Sequence, residues 1–261
     1  MNARISAMED LDSSLPSSLQ DTVLTVRRYC RDVGAGILDL VYPARCVVCG
    51  DVQPSYLCPA CLEKIEFIEP PVCARCGLPL DEGQCPECRR IKFAFKGARA
   101  VGAYEGALRD AIHALKYSGH AVVAHDLGRL LADYILTYPS FAENVSCVIP
   151  APIHSSRKRE RGFNQSELLA RPVAELLRVP LVTDVLRRIK ATRPQVELSF
   201  EERVENVRGA FGVLDPAPIV DKRVLLIDDV LTTGSTAHEA SLTLLNAGAS
   251  AVYVLTLART C

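Results

Sequence analysis

The feature that most limits how this chain folds is a cysteine pattern that occurs twice. Cys46-Val-Val-Cys49 is followed by Cys58-Pro-Ala-Cys61, and Cys73-Ala-Arg-Cys76 is followed by Cys85-Pro-Glu-Cys88. Each copy reads C-x2-C-x8-C-x2-C, and the second is displaced by 27 residues, from position 46 to position 73. Two C-x2-C knuckles supply four thiolates, the number that zinc takes tetrahedrally, so the repeat points to two zinc sites. A quartet that fills every coordination position leaves no place for a substrate, and the metal is expected to hold structure. Gly50 and Gly77 behind the leading knuckles, with Pro59 and Pro86 inside the trailing ones, suit turns whose N–H groups face sulfur. Iron–sulfur ligation uses the same residues, and a chance cluster of reduced buried thiols is the bland reading that the doubled spacing opposes.

Spacing alone leaves the pairing open. Sequential pairing puts Cys46, Cys49, Cys58 and Cys61 on one ion and Cys73, Cys76, Cys85 and Cys88 on the other; a crossed arrangement alternates knuckles. Sequential pairing needs only local closure and is the expectation adopted. A ribbon of about 50 residues has too little apolar surface to fold alone, so metal supplies its stability. The other three of the 11 cysteines, Cys30, Cys147 and Cys261, are scattered and read as small apolar residues.

The remaining length of a 261-residue chain accommodates one full-sized domain. With 49% hydrophobic residues, disorder over most of the chain is excluded. Lys and Arg number 30 against 31 Asp and Glu, so no general attraction to nucleic acid or membrane follows, and any phosphate preference is local. No stretch reaches the roughly 18 apolar residues that a membrane helix needs. Met1 to Gln20 carries Glu9, Asp10 and Asp12 without a basic start and apolar run, unlike a signal peptide. The expected location is the cytoplasm, where thiols stay reduced and bind metal. Residues 1–40 read as an extension, with helical spacing over 23–40; 41–92 is the double zinc ribbon; 96–261 is the main domain.

Within that main domain, apolar runs alternate with amphipathic stretches. Strands are expected at 98–104, 145–149, 224–227 and 251–257, and helices at 107–117, 120–137, 165–177 and 237–246. Such alternation argues for βαβ units and an α/β fold, a mainly parallel sheet with helices on both faces. His113, His125 and His238 lack metal spacing and read as structural. Tyr42, Tyr56, Phe67, Phe93 and Phe95 read as cover for the ribbon core, with base stacking as the alternative.

One segment carries chemistry. An apolar strand ends in Asp228-Asp229, followed by Val230, Leu231, Thr232, Thr233, Gly234, Ser235 and Thr236, and then a helix. Unpaired N–H groups at a helix N-terminus lie at the positive end of its dipole and bind phosphate. Gly234 allows the backbone to approach an anion, and four hydroxyl side chains add donors. No Lys follows the glycine, so a triphosphate cradle is not indicated. Two carboxylates beside a phosphate repel it unless they hold something else, and the secondary hydroxyls of a pentose 5′-phosphate fit. The bland reading is a strand end followed by a Ser/Thr helix cap, which needs one such residue and not four.

The 224–236 segment resembles the phosphoribosyl-pyrophosphate (PRPP) signature of type I phosphoribosyltransferases. Together with the cysteine repeat, Leu115-Lys116-Tyr117 and Arg161-Gly-Phe-Asn-Gln165, it makes the chain resemble the ComF competence-protein family. The resemblance implies a phosphoribosyltransferase-like sheet behind a zinc-ribbon domain, and PRPP with Mg²⁺ in a cleft at the strand ends. It implies pentosyl transfer to an acceptor that it does not name. It further implies a link to DNA uptake, with single-stranded DNA and competence proteins as partners.

PRPP also carries pyrophosphate, which requires a second anion site. Pro152 and His154 occupy the place of a type I pyrophosphate loop, leading into a basic loop with Arg157, Lys158, Arg159 and Arg161. Arg suits pyrophosphate because its planar fork donates two parallel hydrogen bonds. Arg157 and Arg161 are the favoured contacts; Arg159 reads equally well as solvated charge. A second basic stretch holds Arg187, Arg188, Lys190 and Arg193, and Thr192-Arg193-Pro-Gln195 is the candidate mobile loop. The family match makes Lys116 a phosphate contact, where position alone makes it a helix-end charge. Two rivals remain: a PRPP- or DNA-binding adaptor without catalysis, and a zinc-ribbon DNA-binding protein indifferent to Asp228 and Asp229.

Overall fold

The computed structural model describes residues 43–80, 83–117, 121–190 and 200–261. The expected helix at 23–40, Tyr42 and the Thr192–Gln195 loop, with Arg193, lie outside the described residues. Residues Cys46–Asp51 and Ser55–Cys261 pack into one compact unit. In the other unit, Met1–Arg45 with Val52–Pro54, the described residues include an antiparallel bridge between Arg45 and Val52.

Beyond the cysteine-rich segment the chain forms β1 (Gly97–Ala103), α1 (Gly106–Tyr117), α2 (Val123–Thr137), β2 (Cys147–Pro150), α3 (Ser155–Arg161) and α4 (Gln165–Leu177). There follow β3 (Leu186–Arg188), α5 (Phe200–Val207), β4 (Phe211–Val213), β5 (Arg223–Leu231), α6 (Ser235–Asn246) and β6 (Ala251–Arg259). The main sheet has the order β1-β6-β5-β2 and every pairing in it is parallel. β3 and β4 form a separate antiparallel pair.

Alternation along the strands divides the core. Leu225 and Ile227 of β5, with Leu255 and Leu257 of β6, meet Leu108 and Ile112 of α1, Leu127 and Leu131 of α2 and Leu169 of α4. Val224 and Leu226, with Val252 and Val254, meet Ala240 and Leu244 of α6. Successive strand residues point to opposite faces, so near-continuous apolar runs require helices on both sides. The expected α/β architecture is present.

Local signals account for most boundaries. The Asn164 side chain accepts from the Ser166 amide at 3.2 Å and starts α4, after Gly162 has closed α3 at φ 82°. Two expectations are corrected. The basic stretch after Pro152 is the helix α3 and not a loop, because His154 caps it, its Nδ1 accepting from the Ser156 amide at 3.3 Å. β5 does not end before the acids. It runs through Asp228 and Asp229 to Leu231, since β6 continues beside it and pairs Asp228 with Thr256 and Leu231 with Arg259. Among the described residues, no helix is long and apolar enough to cross a membrane.

Candidate functional site

The two cysteine quartets close sequentially. In each, the four Sγ atoms lie within 4.8 Å of one another. Sulfurs about 2.3 Å from one zinc sit at corners of a tetrahedron with edges of about 3.8 Å. The separations are 3.7 Å for Cys49–Cys58, 3.6 Å for Cys73–Cys88 and 3.4 Å for Cys76–Cys85. Burial acts to raise Cys46 and Cys73, but backbone N–H donors of the knuckles outweigh it and hold them at about 6 and about 7. Burial and neighbouring sulfurs push Cys61 up to about 12 and Cys76 to about 11. Four such thiols ionise together only around a cation, and these donors fit structural Zn²⁺.

The second centre lies at the C-terminal ends of β2 and β5. Asp229 is buried, with Lys116 Nζ 2.7 Å from its Oδ1 and Gln165 Nε2 donating to its Oδ2 at 2.9 Å. Ser166 Oγ donates to Asp228 Oδ1 at 3.0 Å, and the Asp229 amide donates to the same oxygen at 2.9 Å. Burial first, and the Asp229 charge next, push Asp228 up to about 7 against these donors and Lys116. Burial pulls Lys116 down, but the charge and hydrogen bond of Asp229, helped by Asp228, carry it above its ordinary value.

After β5 the chain turns at Gly234, where φ is 75°, and enters α6 at Ser235. A Cβ at this position would stand 2.7 Å from Cε1 of Phe93, so both conformation and space demand glycine. Thr233 Oγ1 and Ser235 Oγ are 2.8 Å apart and brace the turn. A pocket open to solvent, with ≈ 250 Å³ of empty space counting its mouth, lies here, lined by Asp228, Val230, Leu231, Thr232, Gly234, Thr236, Ala237 and Thr256. Asp228 and the turn thus share one cavity wall, while the neighbouring Asp229 carboxylate is turned to Lys116 and Gln165.

Basic groups approach from α3 and β3. The Ala151 amide donates to the Ile227 carbonyl at 2.8 Å and Asn164 Nδ2 to the Ala151 carbonyl at 3.1 Å, which ties the Pro152–His154 stretch to the end of β5. Arg157 and Arg161 share one face of α3 and are half-buried, while Lys158 and Arg159 are exposed. Arg161 donates to Gln165 Oε1 at 2.9 Å and lies over the Tyr117 ring at 5.3 Å. Arg188 of β3 feels Arg157 and Asp228, burial holding it below its ordinary value.

Gln165 and Ser166 were not singled out from sequence as site residues, although Gln165 closes the Arg161-Gly-Phe-Asn-Gln165 motif. The available signal is a polar pair at the start of a helix on the same face as the apolar Leu169, Ala170, Val173 and Ala174. Phe93 and Phe95 are buried as expected, whereas Phe67 is 46% exposed. His238 accepts from the Ala94 amide at 3.0 Å, a structural role.

A double zinc ribbon domain model matches residues 37–92. The DNA utilization protein YhgH of Escherichia coli is 33% identical over 193 residues, spanning 72% of this chain and 84% of that protein. The chain belongs to the ComF family. Competence protein F of Haemophilus influenzae is 29% identical over 225 residues, covering 82% of this ComF-family chain and 96% of its relative. Among solved structures, the glutamine PRPP amidotransferase from B. subtilis overlaps 50% of the chain and 25% of its own length, at 22% identity and TM-score 0.34. For this ComF protein the fold rests on the strand order described above and not on that partial overlap.

Proposed function

We propose that this ComF-family protein binds PRPP in the cleft at the ends of β2 and β5 and transfers its phosphoribosyl group to a nucleophilic acceptor. One observation carries the reading: Asp228 of the acid pair and a glycine turn opening a helix line the same pocket. The 5′-phosphate sits on the amides of the Thr232–Thr236 turn at the N-terminus of α6. The ribose hydroxyls donate to Asp228 and Asp229. The pyrophosphate lies toward Arg157 and Arg161.

Asp228 and Asp229 present the oxygen donors that Mg²⁺ prefers, and the ion would neutralise charge on the departing pyrophosphate. In the reaction, the acceptor forms a bond to ribose C1 and gives up its proton. The C1–O bond breaks, and its electron pair leaves with pyrophosphate. Lys116 holds Asp229 in place until substrate hydroxyls share that carboxylate. The names of relatives, a competence protein and a DNA utilization protein, support a role for this chemistry beside DNA uptake.

Pyrophosphate release from PRPP and Mg²⁺, followed with candidate acceptors, tests transfer. Turnover lost in Asp229→Ala supports it. Saturable PRPP binding without turnover on any acceptor supports the adaptor reading instead.

A further inference from the structure

The two cysteine quartets sit on opposite faces of the sheet. Cys46, Cys58 and Cys61 belong to the core built with α1 and α2. There Asp126 Oδ2 accepts from the Tyr56 and Leu57 amides at 2.9 and 3.2 Å. Cys73, Cys76 and Cys85 belong to the other core, together with Phe93, Phe95, Leu231 and Ala237. Leu231 and Ala237 flank the Thr232–Thr236 turn.

The connection from the second quartet to that turn is short. Cys88 lies in the helical stretch Pro86–Arg90, and Phe93 follows it, 5% exposed. The Phe93 ring lies directly against Gly234, its Cε1 and Cζ at 2.7 and 3.2 Å from where a Cβ would stand. Phe95 stacks on Phe93 at 4.7 Å and 16°. The next amide, Ala94, donates to His238 Nδ1 at 3.0 Å, and the His238 amide donates to the Gly234 carbonyl at 2.8 Å. The knuckle behind is fastened as well: the Arg75 guanidinium donates to the Phe95 carbonyl, and the Ala98 amide to the Arg75 carbonyl at 2.7 Å. Buried Arg259, at the end of β6, donates to the Cys76 carbonyl.

We propose that the second cysteine quartet, through Phe93 as a positioning residue, sets the conformation of the Thr232–Thr236 turn, so that losing metal there releases a bound phosphate, while the first quartet serves the α1–α2 face. The proposal rests on the reading of that turn as the 5′-phosphate site. A turn with left-handed backbone at Gly234, braced within itself by Thr233 and Ser235, also takes its shape from the surface it lies on, and the Phe93 ring is that surface at Gly234. Removing the ring, or the metal that fixes the chain just before it, leaves the phosphate-facing amides free to reorient.

The test uses the full chain with zinc content measured, and four variants: Cys88→Ser, Phe93→Ala, Phe93→Leu and Asp126→Ala. Amide hydrogen exchange over 230–240 is read without ligand, and PRPP affinity is read by calorimetry with Mg²⁺. Cys88→Ser and Phe93→Ala are expected to speed exchange at 232–236 and to weaken PRPP by roughly tenfold or more. Phe93→Leu, which keeps apolar bulk under Gly234, recovers most of both. Asp126→Ala loosens the first ribbon yet leaves exchange at the turn and PRPP affinity within about twofold of wild type. Unchanged exchange in Phe93→Ala, or equal loss in Asp126→Ala, overturns the proposal. If wild type itself fails to bind PRPP, the reading of the site falls, while the exchange comparison still decides whether Phe93 shapes the turn.

Discussion

Lys116 Nζ lies 2.7 Å from Asp229 Oδ1, the lysine side chain 16% and the carboxylate 8% exposed, so the cation at the end of α1 holds the acid of β5. A helix-end lysine with no such partner would point into water. Here its burial is compensated by Asp229, with Asp228 near enough to add to the effect. The pair sets the cation and the acid against each other where water is largely excluded, so neither is left without a partner.

Removing the cation leaves Asp229 buried with Gln165 as its donor. Lys116→Met is expected to cost about 3 kcal/mol of stability, the scale for breaking one side of a buried pair. Urea unfolding measures it. Combining it with Asp229→Asn is expected to recover much of the loss, and simple additivity would show that the pair is not coupled.

Asp228 responds to pH. Burial and its neighbour place its folded value at about 7, above the ~3.9 of an unfolded chain. The folded state therefore holds an extra proton between those values. The contribution is full below about pH 4, is lost as pH rises to 7, and stays flat beyond. Asp228→Asn keeps Oδ1 as acceptor for Ser166 and the Asp229 amide. It is expected to gain stability relative to wild type as pH rises from 4 to 8, in denaturant midpoints. In wild type, PRPP affinity is expected to rise by about tenfold from pH 6 to pH 8 beyond any rise in the variant, following the ionised fraction of Asp228.

Gly234→Ala meets two obstacles, a left-handed φ and the Phe93 ring. The conformation alone costs about 1–2 kcal/mol. Thermal unfolding is expected to report at least that cost, with phosphate affinity falling as well; a neutral substitution would mean the turn relaxes freely.

Arg157→Ala is expected to weaken PRPP by about tenfold, a loss of about 1.4 kcal/mol, while leaving ribose 5-phosphate affinity unchanged. Calorimetry with the two ligands separates a pyrophosphate contact from general attraction. Equal loss for both ligands assigns Arg157 to bulk charge.

The purified protein is expected to hold two zinc ions per chain by elemental analysis, and a strong chelator is expected to unfold the ribbon segment. One ion contradicts the two-quartet assignment, and iron in place of zinc contradicts the identity of the metal.

Much of this was legible in the residues, for identifiable reasons. The cysteine spacing depends on local closure, and both quartets close as local closure favours. Helix α4 spans 165–177 as expected, because Asn164 caps it and its apolar face is strictly periodic. The extension of β5 through Asp228 and Asp229 was not legible, since it depends on hydrogen bonds to β6, 28 residues further on by the 228–256 register. The roles of Gln165 and Ser166 were hidden similarly. They face Asp229 and Asp228 only once α4 has packed against β5, and no spacing rule joins positions so far apart. Helix α3 is hard to read from sequence because its charged side chains carry no apolar stripe; its signals are the His154 cap and the Gly162 stop.

The most direct measurement is a calorimetric titration of the zinc-replete chain with PRPP and Mg²⁺, beside its Asp228→Ala/Asp229→Ala variant. Saturable one-to-one binding to the unaltered protein, abolished in the variant, is the predicted result. Absence of binding at every Mg²⁺ concentration, or equal binding to both proteins, would contradict the assignment of this cleft.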